Sequence, residues 1–204
     1  MSGTSRLRFV FPLLIVWVAG ILVYVLWPEG EITHEPGVLV SDEPHQRPAV
    51  NVAPWEKDGY QITPLAEFDA CARVLHIKHY SRGRESDLSP EDLALGWGAM
   101  SDTRVLDQIE ITQRDRWYEW HVRTFPIPRR SIETSSANMH IIPADDPVDD
   151  VLGSLKRGNV IRFSGYLVEV AAKDGWKWRS SLTRDDVGQG ACEVVWVNKI
   201  SVLP

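Results

Sequence analysis

The chain has 204 residues and carries 22 Lys and Arg against 28 Asp and Glu, which gives a formal net charge of -6 at pH 7. This acidic balance argues against a general nucleic-acid-binding protein, because such proteins attract phosphates with basic surfaces. Hydrophobic residues at 44% and charged residues at 25% are typical of a folded chain and exclude wholesale disorder. Two cysteines are too few for a disulfide-dense scaffold or a four-cysteine zinc site.

Residues 9–27 form an apolar segment of 19 residues without a charge, FVFPLLIVWVAGILVYVLW. At a rise of about 1.5 Å per residue, such a helix spans close to the roughly 30 Å hydrocarbon core of a bilayer. The segment is longer than the apolar part of a cleaved signal peptide, and no small-x-small cleavage site follows it. We therefore predict an uncleaved transmembrane signal anchor over residues 9–27, in contact with the lipid bilayer.

The charges that flank the apolar segment predict its orientation. Arg6 and Arg8 precede the segment, and positively charged flanks stay in the cytoplasm. We therefore expect residues 1–8 in the cytoplasm and the chain after the anchor on the other side of the inner (cytoplasmic) membrane. The protein is then predicted to be a single-pass membrane protein with a periplasmic or extracellular domain.

Residues 28–54 differ in composition from the segments on either side. They contain five prolines and five acidic residues, with Arg47 as the single Lys or Arg. Proline removes a hydrogen-bond donor and biases the residue before it towards extended conformations, which suits neither a helix nor a central strand. We predict a semi-extended acidic stalk that acts as a spacer, followed by a β-rich extracytoplasmic domain over residues 55–204.

The first half of this domain predicts strands interrupted by short helices. Residues 70–80 are typical of a strand. A helix start is predicted at Ser89, because a Ser N-cap followed by Pro at the first helical position is a common helix signal. A second short helix is predicted over residues 101–106. Residues 109–123 predict one long strand, in which Trp117 and every second residue after it share one face.

The second half of the domain predicts a helix and alternating strands. The helix starts at Asp146, where Asp and Pro are followed by apolar residues at helical spacing. Asp174 and Gly175 form a dipeptide that is typical of hairpin turns. The predicted strands are residues 132–142, 160–171, 176–182 and 194–203.

This order of elements predicts the architecture. Three strands, a helix and at least two further strands resemble the OB fold, a five-stranded Greek-key barrel with a helix between its third and fourth strands. We therefore expect a mainly β domain with a few short helices, an OB-like small barrel, preceded by one N-terminal transmembrane helix. Because one fold serves many activities, this expectation does not name a function.

Three segments have a residue order more specific than strand formation requires. They are Gly96-Trp97-Gly98, residues 135–144 (SSANMHIIPA) and residues 180–193 (SSLTRDDVGQGACE). Together they resemble a family of uncharacterised, membrane-anchored bacterial proteins of about this length. The resemblance covers most of the domain and implies a membrane anchor. It brings no catalytic residue, ligand or partner.

Cys192, His140 and Arg184 are the candidates for catalysis. A cysteine thiolate needs a nearby base or positive charge, which His and Arg would supply. Sortase transpeptidases use the same three residue types, but their Arg follows the Cys, whereas no Arg follows Cys192. Glu193 beside the sulfur would also disfavour a thiolate by charge repulsion. An enzyme of thiol acyl transfer or hydrolysis, built around Cys192 or His140, is therefore the alternative rather than the main expectation.

Cys71 and Cys192 are also candidates for a disulfide. Outside the cytoplasm, two cysteines usually pair when their geometry permits it. Cys71 lies on the first predicted strand of the domain and Cys192 opens the last, and these strands can be neighbours in a closed barrel. We predict a Cys71–Cys192 disulfide, with two buried free thiols as the alternative.

The sequence predicts neither a metal site nor a cofactor. His76 and His79 are three residues apart, so they would point to opposite faces of a strand. Residues 185–190 (DDVGQG) contain acids and glycines, but they lack the alternating acidic ligands and the distal Glu of a calcium loop.

The predicted domain contains seven tryptophans, which is an excess for its size. Trp176 and Trp178 share one strand face, and together with Trp97 they are the candidate binding residues. Exposed aromatic rings would stack on a sugar or a peptide; the alternative is that most rings fill the core. We predict a non-catalytic binding or assembly module of the bacterial cell envelope, with an envelope protein or glycan as partner. No nucleic acid is expected, because single strands need a basic groove beside the aromatic rings.

Overall fold

The structure is a computed structural model that describes residues 30–183 and 191–204. The predicted cytoplasmic N-terminus (1–8), the predicted anchor (9–27) and Arg184 lie outside the described residues. Within those residues, none of the helices combines the length and the apolar character needed to cross a bilayer.

The described part of the chain is mainly β with a few short helices, as predicted. It contains ten strands and three short α-helices. The strands are β1 (His45–Pro48), β2 (Trp55–Lys57), β3 (Tyr60–His79), β4 (Glu91–Gly96), β5 (Glu110–Arg114), β6 (Trp117–His121), β7 (Ser136–Pro143), β8 (Val160–Ala171), β9 (Lys177–Arg179) and β10 (Glu193–Leu203), and the helices are α1 (Thr103–Leu106), α2 (Arg129–Thr134) and α3 (Asp146–Gly153).

Five of these strands pair in a cycle. β3 pairs with β4, and β4 with β7, both antiparallel. β7 pairs with β10 in parallel, β10 pairs with β8 antiparallel, and β8 pairs back onto β3. The 20-residue β3 is long enough to pair with β8 over Gln61–Arg73 and with β4 over Arg73–His79. Register shifts after Pro64 and after Val74 interrupt the two ladders, and such bulges bend a strand.

Alternation along the strands separates an inner from an outer face. On β7, Met139 and Ile141 belong to a buried apolar cluster, whereas Asn138 and His140 point to the opposite face. We call this cluster the inner core. It comprises Val40, Ala66, Phe68, Ala70, Ala72, Val74, Leu93, Leu95, Trp97, Met139, Ile141, Val148, Leu152, Leu155, Ile161, Phe163, Leu167, Val195 and Val197.

Two further apolar clusters lie outside the inner core. We call them the Trp196 cluster, which includes residues of β8 and β10, and the Met100 cluster, to which β5 contributes. The buried members of the Trp196 cluster are Ile62, Leu88, Ile142, Val168, Val170, Val194 and Trp196. Those of the Met100 cluster are Leu75, Ala94, Met100, Leu106, Ile109, Ile111 and Ile132.

The helix predicted at Ser89 is wrong, because this segment leads into β4. Leu93 and Leu95 lie in the inner core, whereas Ala94 between them lies in the Met100 cluster. Burial on both faces with a period of two is strand geometry. The Ser89 hydroxyl donates to the Glu91 carbonyl oxygen instead of capping a helix.

The long strand predicted over residues 109–123 is a hairpin of β5 and β6. Asp115 and Arg116 form its turn with φ of 53° and 67°, the two positive angles that a type I′ turn requires. Gly and Asn are the usual signals for such a turn, and neither is present, so the sequence pattern did not reveal it. The alternation itself is confirmed, since Trp117, Glu119 and His121 are exposed and the residues between them are half-buried.

Other predicted elements agree more closely with the structure. The helix expected over residues 101–106 is α1, and the Asp102 side chain caps it by accepting from the Arg104 N–H. The helix expected at Asp146 is α3, whose cap is Asp145. The strand predicted from residue 132 starts at Ser136, because α2 precedes it.

The segment predicted as a stalk is part of the folded unit from Ile32 onward. Val40 belongs to the inner core, and β1 pairs with β3. The Ile32 N–H donates to the Arg157 carbonyl oxygen at 2.9 Å. The composition of residues 28–54 still explains their extended conformation, because prolines at short intervals favour an extended chain. Such a chain suits an edge strand, where the missing N–H of Pro48 leaves no hydrogen bond of the sheet unmade.

Gly165 on β8 is the position where a side chain would disturb the sheet most directly. A Cβ built there lies 1.8 Å from the Trp196 carbonyl oxygen. We expect Gly165→Ala to separate β8 from β10 and to cost about 1–3 kcal/mol, as overpacking does, with about 2–4 °C in Tm for each kcal/mol. Gly153→Ala is the matched control, because its Cβ meets nothing within 4 Å. Thermal unfolding followed by circular dichroism measures both; equal melting temperatures would contradict the close approach.

Glu91 predicts a pH dependence of stability. Burial raises the pKa of this carboxyl, the nearby Asp149 adds to the rise, and His79, whose Nδ1 lies 3.0 Å from Glu91 Oε1, opposes it. A carboxyl whose pKa is higher in the folded state than in the unfolded state stabilises the fold when it is protonated. This contribution to stability is lost as the pH rises through the raised pKa. We expect Glu91→Gln to raise Tm above pH 7, with the gain vanishing below about pH 4, the usual range for Glu.

Asp174 provides the control of opposite sign. Its pairing with Arg84 lowers the pKa of this carboxyl, so its stabilisation is present at neutral pH and is lost on acidification. Asp174→Asn should therefore lower Tm at pH 7 and change little in acid. A lower Tm for Glu91→Gln at pH 8 would show that the His79 pair outweighs the cost of burial.

Candidate functional site

A cavity of about 560 Å³ lies between the β5–β6 hairpin and the outer face of β7. We call it the hairpin cavity. Its volume is within the range of small-molecule sites. Its lining combines aromatic rings, carboxylates and polar groups from β6, α2, β7 and the start of β10; these are Trp117, Tyr118, Glu119, Trp120, His121, Val122, Phe125, Arg129, Glu133, Ser136, Ala137, Asn138, Thr183, Ala191, Cys192 and Glu193.

The hairpin is held over β7 by its half-buried face. Tyr118 and Trp120 pack against the Met100 cluster, and the Tyr118 hydroxyl lies 3.1 Å from the Ser136 Oγ. Burial raises the pKa of Tyr118 to about 12. The phenol is therefore neutral in the physiological range and acts as a hydrogen-bonding tether rather than as an acid or base.

The aromatic part of the cavity remains open to solvent. Phe125 is 50% exposed and Trp117 is 39% exposed, values that place them among the few exposed large apolar side chains of the described chain. Phe125 contacts Trp120 edge to face, with ring centroids 6.0 Å apart. The Arg129 guanidinium lies 5.8 Å from the Trp120 ring centroid, and its Nε donates to Glu133 at 2.7 Å.

Asn138 connects the cavity to a buried amide network. Its side-chain oxygen accepts from Gln113 Nε2 at 2.5 Å, and the Gln113 oxygen lies 2.8 Å from His76 Nδ1. Its Nδ2 donates to the Arg116 carbonyl oxygen at 3.2 Å and lies 4.0 Å from Cys192 Sγ. Cys192 thus lies in the cavity wall next to an amide and a carbonyl group.

Of the predicted catalytic residues, Arg184 lies outside the described residues, and His140 and Cys192 contact different groups. His140 is on the same face of β7 as Asn138, but it does not line the cavity; its Nδ1 faces Asp92 at 2.9 Å and its ring packs 5.0 Å from Trp178. Cys192 lies near the hairpin turn at Arg116. His121 lines the same cavity but lies at the far end of β6, about 16 Å along an extended chain.

A buried polar cluster joins the hairpin turn to β4. Asp92 is fully buried, and its Oδ1 accepts from Arg116 Nη1 at 2.6 Å. The Arg116 guanidinium also stacks 3.9 Å from the Tyr80 ring centroid and donates to the Ser89 carbonyl oxygen at 2.9 Å. The sequence analysis missed this cluster, because Asp92 and Arg116 are 24 residues apart and form no local motif.

The predicted Cys71–Cys192 disulfide is not supported, since neither cysteine forms a disulfide in the structure. Cys71 is level with Arg162 on β8, and Arg162 is level with Ser201 near the end of β10. Cys192 precedes the start of β10, about 30 Å away along a strand of about 3.3 Å per residue. A disulfide requires Cα atoms within about 7 Å. The strands are neighbours through β8, but the two cysteines lie at opposite ends.

The three predicted binding tryptophans do not form one platform. Trp97 is 1% exposed and belongs to the inner core, so a ligand cannot reach it. Trp176 and Trp178 share a face, but their planes are inclined by 47° with centroids 6.3 Å apart. The Arg84 guanidinium lies 5.3 Å from the Trp176 ring centroid. The aromatic residues that line the hairpin cavity are Trp117, Tyr118 and Trp120 on β6 and Phe125 after it, and in β6 the sequence showed only an alternating strand.

Histidines and carboxylates in the described part of the chain are not grouped as metal ligands. His76 and His79 contact different partners, Gln113 and Glu91.

Loss of the Arg116 side chain should have a large effect on the stability of the fold. Removing it leaves the Asp92 carboxylate buried without its guanidinium, and breaking a buried pair in this way costs about 3–5 kcal/mol. We expect Arg116→Met to lower the free energy of unfolding by this amount in denaturant titrations, and Asp92→Asn in the same chain to restore part of it. Arg114→Met is the control, because this side chain is 77% exposed and pairs with the equally exposed Asp115. An Arg116→Met variant as stable as Arg114→Met would contradict the role of the cluster.

Comparison of the chain with protein-family models, with curated proteins and with solved structures finds no match.

Proposed function

We propose that the protein is a cell-envelope protein, anchored in the inner membrane by residues 9–27, whose extracytoplasmic domain is a non-catalytic binding or assembly module. The observation that carries the binding role is the hairpin cavity, with exposed aromatic rings beside charged groups. The uncharged N-terminal segment and the two arginines before it support the anchor and its orientation. The partner is an envelope protein or a glycan.

The cycle of five strands supports the same proposal. We infer an OB-like small barrel, in which β3, β4, β7, β8 and β10 are the first to fifth strands and α3 lies between the third and the fourth. The parallel pairing of the third with the fifth strand agrees with this order. OB folds bind ligands across the face of their second and third strands, and the hairpin cavity lies against the third, β7.

The aromatic side chains favour a binding role on energetic grounds. Trp117 and Phe125 remain exposed although buried aromatic rings dominate the stability of cores. Aromatic rings provide a large contact area with little loss of conformational entropy. Exposed rings that line a concave site are therefore available for contact with a partner.

An enzyme that uses Cys192 is the second candidate, and one observation favours it. Cys192 lines the hairpin cavity beside Asn138, so a ligand in the cavity would meet the sulfur. A thiol nucleophile requires a base within hydrogen-bond reach. The predicted base His140 is engaged with Asp92, which lies 2.9 Å from its Nδ1, whereas exposed aromatic rings line the cavity. Binding is therefore the better-supported function.

Site-specific photo-crosslinking tests the binding proposal in the full chain in its native membrane. A photo-reactive phenylalanine analogue replaces Phe125 in the cavity or, as a control, Val202 at the end of β10, which is 43% exposed. We expect a discrete adduct from position 125 that is absent from position 202, because the partner contacts the hairpin cavity. The measurement is the mass of the adduct on a denaturing gel and by mass spectrometry.

Two outcomes would contradict the proposal. Adducts of equal yield at both positions would show non-specific contact, and no adduct at position 125 would remove the cavity as a binding site. Cys192→Ser separates the two candidate functions, because it should leave the adduct at Phe125 unchanged for a binding module. A thioester adduct that disappears with Cys192→Ser would instead establish the enzyme.

A further inference from the structure

We propose that residues 32–39, which we call the strap, lie on a zwitterionic phospholipid surface, with the side chains of Ile32, Val38 and Leu39 at the level of the headgroups. The contact rests on the anchor proposed for residues 9–27 and adds a lipid-binding surface on the folded unit itself. It does not involve the hairpin cavity.

Exposed apolar side chains are concentrated in the strap. Val38 is 53% exposed, Leu39 37% and Ile32 36%, and these are three of the eight large apolar side chains that are exposed among the described residues. Single exposed apolar residues are normal on a protein surface, whereas grouped ones mark an interaction site. Val40, the next residue, is 5% exposed and belongs to the inner core. The strap therefore leaves apolar surface in solvent directly beside a residue that is buried.

Hydrogen bonds hold the strap against the rest of the folded unit. The Ile32 N–H donates to the Arg157 carbonyl oxygen at 2.9 Å. The Gly37 N–H donates to Asp102 Oδ1 at 3.0 Å. A surface that is already ordered loses little conformational entropy when it binds a partner. The apolar side chains of the strap are therefore presented from a backbone that is fixed near both of its ends.

The length of the chain before the strap indicates what covers it. The predicted anchor ends at Trp27, five residues before Ile32. Five residues of fully extended chain span at most about 18 Å. The headgroup region adds about 5–8 Å to each side of the hydrocarbon core of a bilayer. The short connection therefore keeps the strap in the neighbourhood of the headgroups, and this limit names the bilayer as its partner.

The charges beside the strap have both signs. Glu35 in the strap and Glu31 before it are exposed acids. Arg104 and Lys156 are exposed bases, and each is the chain neighbour of a residue that forms a hydrogen bond with the strap. Mixed charges match zwitterionic headgroups and do not favour an anionic surface. Apolar side chains that enter the headgroup boundary then provide the binding energy in proportion to the area they bury.

Val50 is a matched comparison within the same chain. It is 69% exposed, which is more than Val38, and it follows β1, whose last residue pairs with Ala66 on β3. The strap lies near Arg73 of β3, because the Thr103 hydroxyl bonds both Arg73 and the strap. Ala66 and Arg73 are seven residues apart, about 23 Å along a strand. Val50 is therefore an equally apolar position that lies far from the strap.

Fluorescence quenching tests the proposal with the full chain in nanodiscs of phosphatidylcholine. A fluorescent label is attached through Val38→Cys or, as the control, through Val50→Cys, after Cys71→Ser and Cys192→Ser have removed the two native thiols. The quencher is phosphatidylcholine that carries a nitroxide on its headgroup. We expect it to quench position 38 at least about twofold more than position 50, because position 38 then lies in the headgroup layer.

Charged substitutions test whether the apolar side chains make the contact. With the label attached through Ile32→Cys, the pair Val38→Glu and Leu39→Glu should lower the quenching about twofold or more, because a carboxylate is costly to bury among lipids. Val50→Glu is the matched control and should leave the quenching at position 32 unchanged. Circular dichroism melting checks that each variant is folded.

The outcomes separate the strap contact from the anchor. Equal quenching at positions 38 and 50 overturns the contact, and so does quenching at position 32 that the two Glu substitutions leave unchanged. A blue-shifted label at position 38 that the lipid nitroxide does not quench would show a second copy of the chain there and also overturns it. Carbonate extraction of native membranes tests the anchor separately: a retained chain without quenching overturns the strap contact alone, whereas an extracted chain overturns both.

Discussion

The parallel pairing of β7 with β10 is the contact on which the rest of the structure depends. It joins the β3–β4–β7 half of the sheet to the β8–β10 half, and with it the five strands form a cycle. The pairing sets Met139 opposite Glu193 and His140 opposite Val194. Met139 and Ile141 then face the inner core from one side of β7, and the other side is left to carry polar groups. Without this register, the outer face of β7 and the start of β10 would not share a cavity.

Buried polar groups on the outer face of β7 orient the β5–β6 hairpin. Asn138 and His140 lie between apolar clusters that cover both ends of this face. Each of them makes a polar contact with a residue from elsewhere in the chain. Gln113 on β5 meets Asn138, and Arg116 in the hairpin turn meets Asp92 beside His140. Buried polar groups are costly unless they are bonded, so these contacts restrict the hairpin to one placement on the sheet. That placement creates the hairpin cavity, which Trp117, Phe125, Cys192 and Glu193 all line.

The proposed functions follow from what this arrangement leaves exposed. The network around Asn138 and the pair of Asp92 with His140 satisfy groups that could otherwise serve catalysis. The rings of Trp117 and Phe125 remain exposed at the cavity. Exposed rings at a concave site are suited to contact with a partner.

The sequence by itself determined the β-rich class, the position of α1 and α3, and the strands β8 and β10, because alternation and capping residues are local signals. It could not determine that Ser89 precedes a strand, since burial on both faces of β4 overrides the helix signal there. The turn at Asp115 and Arg116 likewise depends on tertiary contacts, which hold these two residues at positive φ angles although neither is a glycine. The distance between Cys71 and Cys192 and the burial of Trp97 depend on strand register. Register couples residues far apart in the chain, and no local pattern records which of them meet.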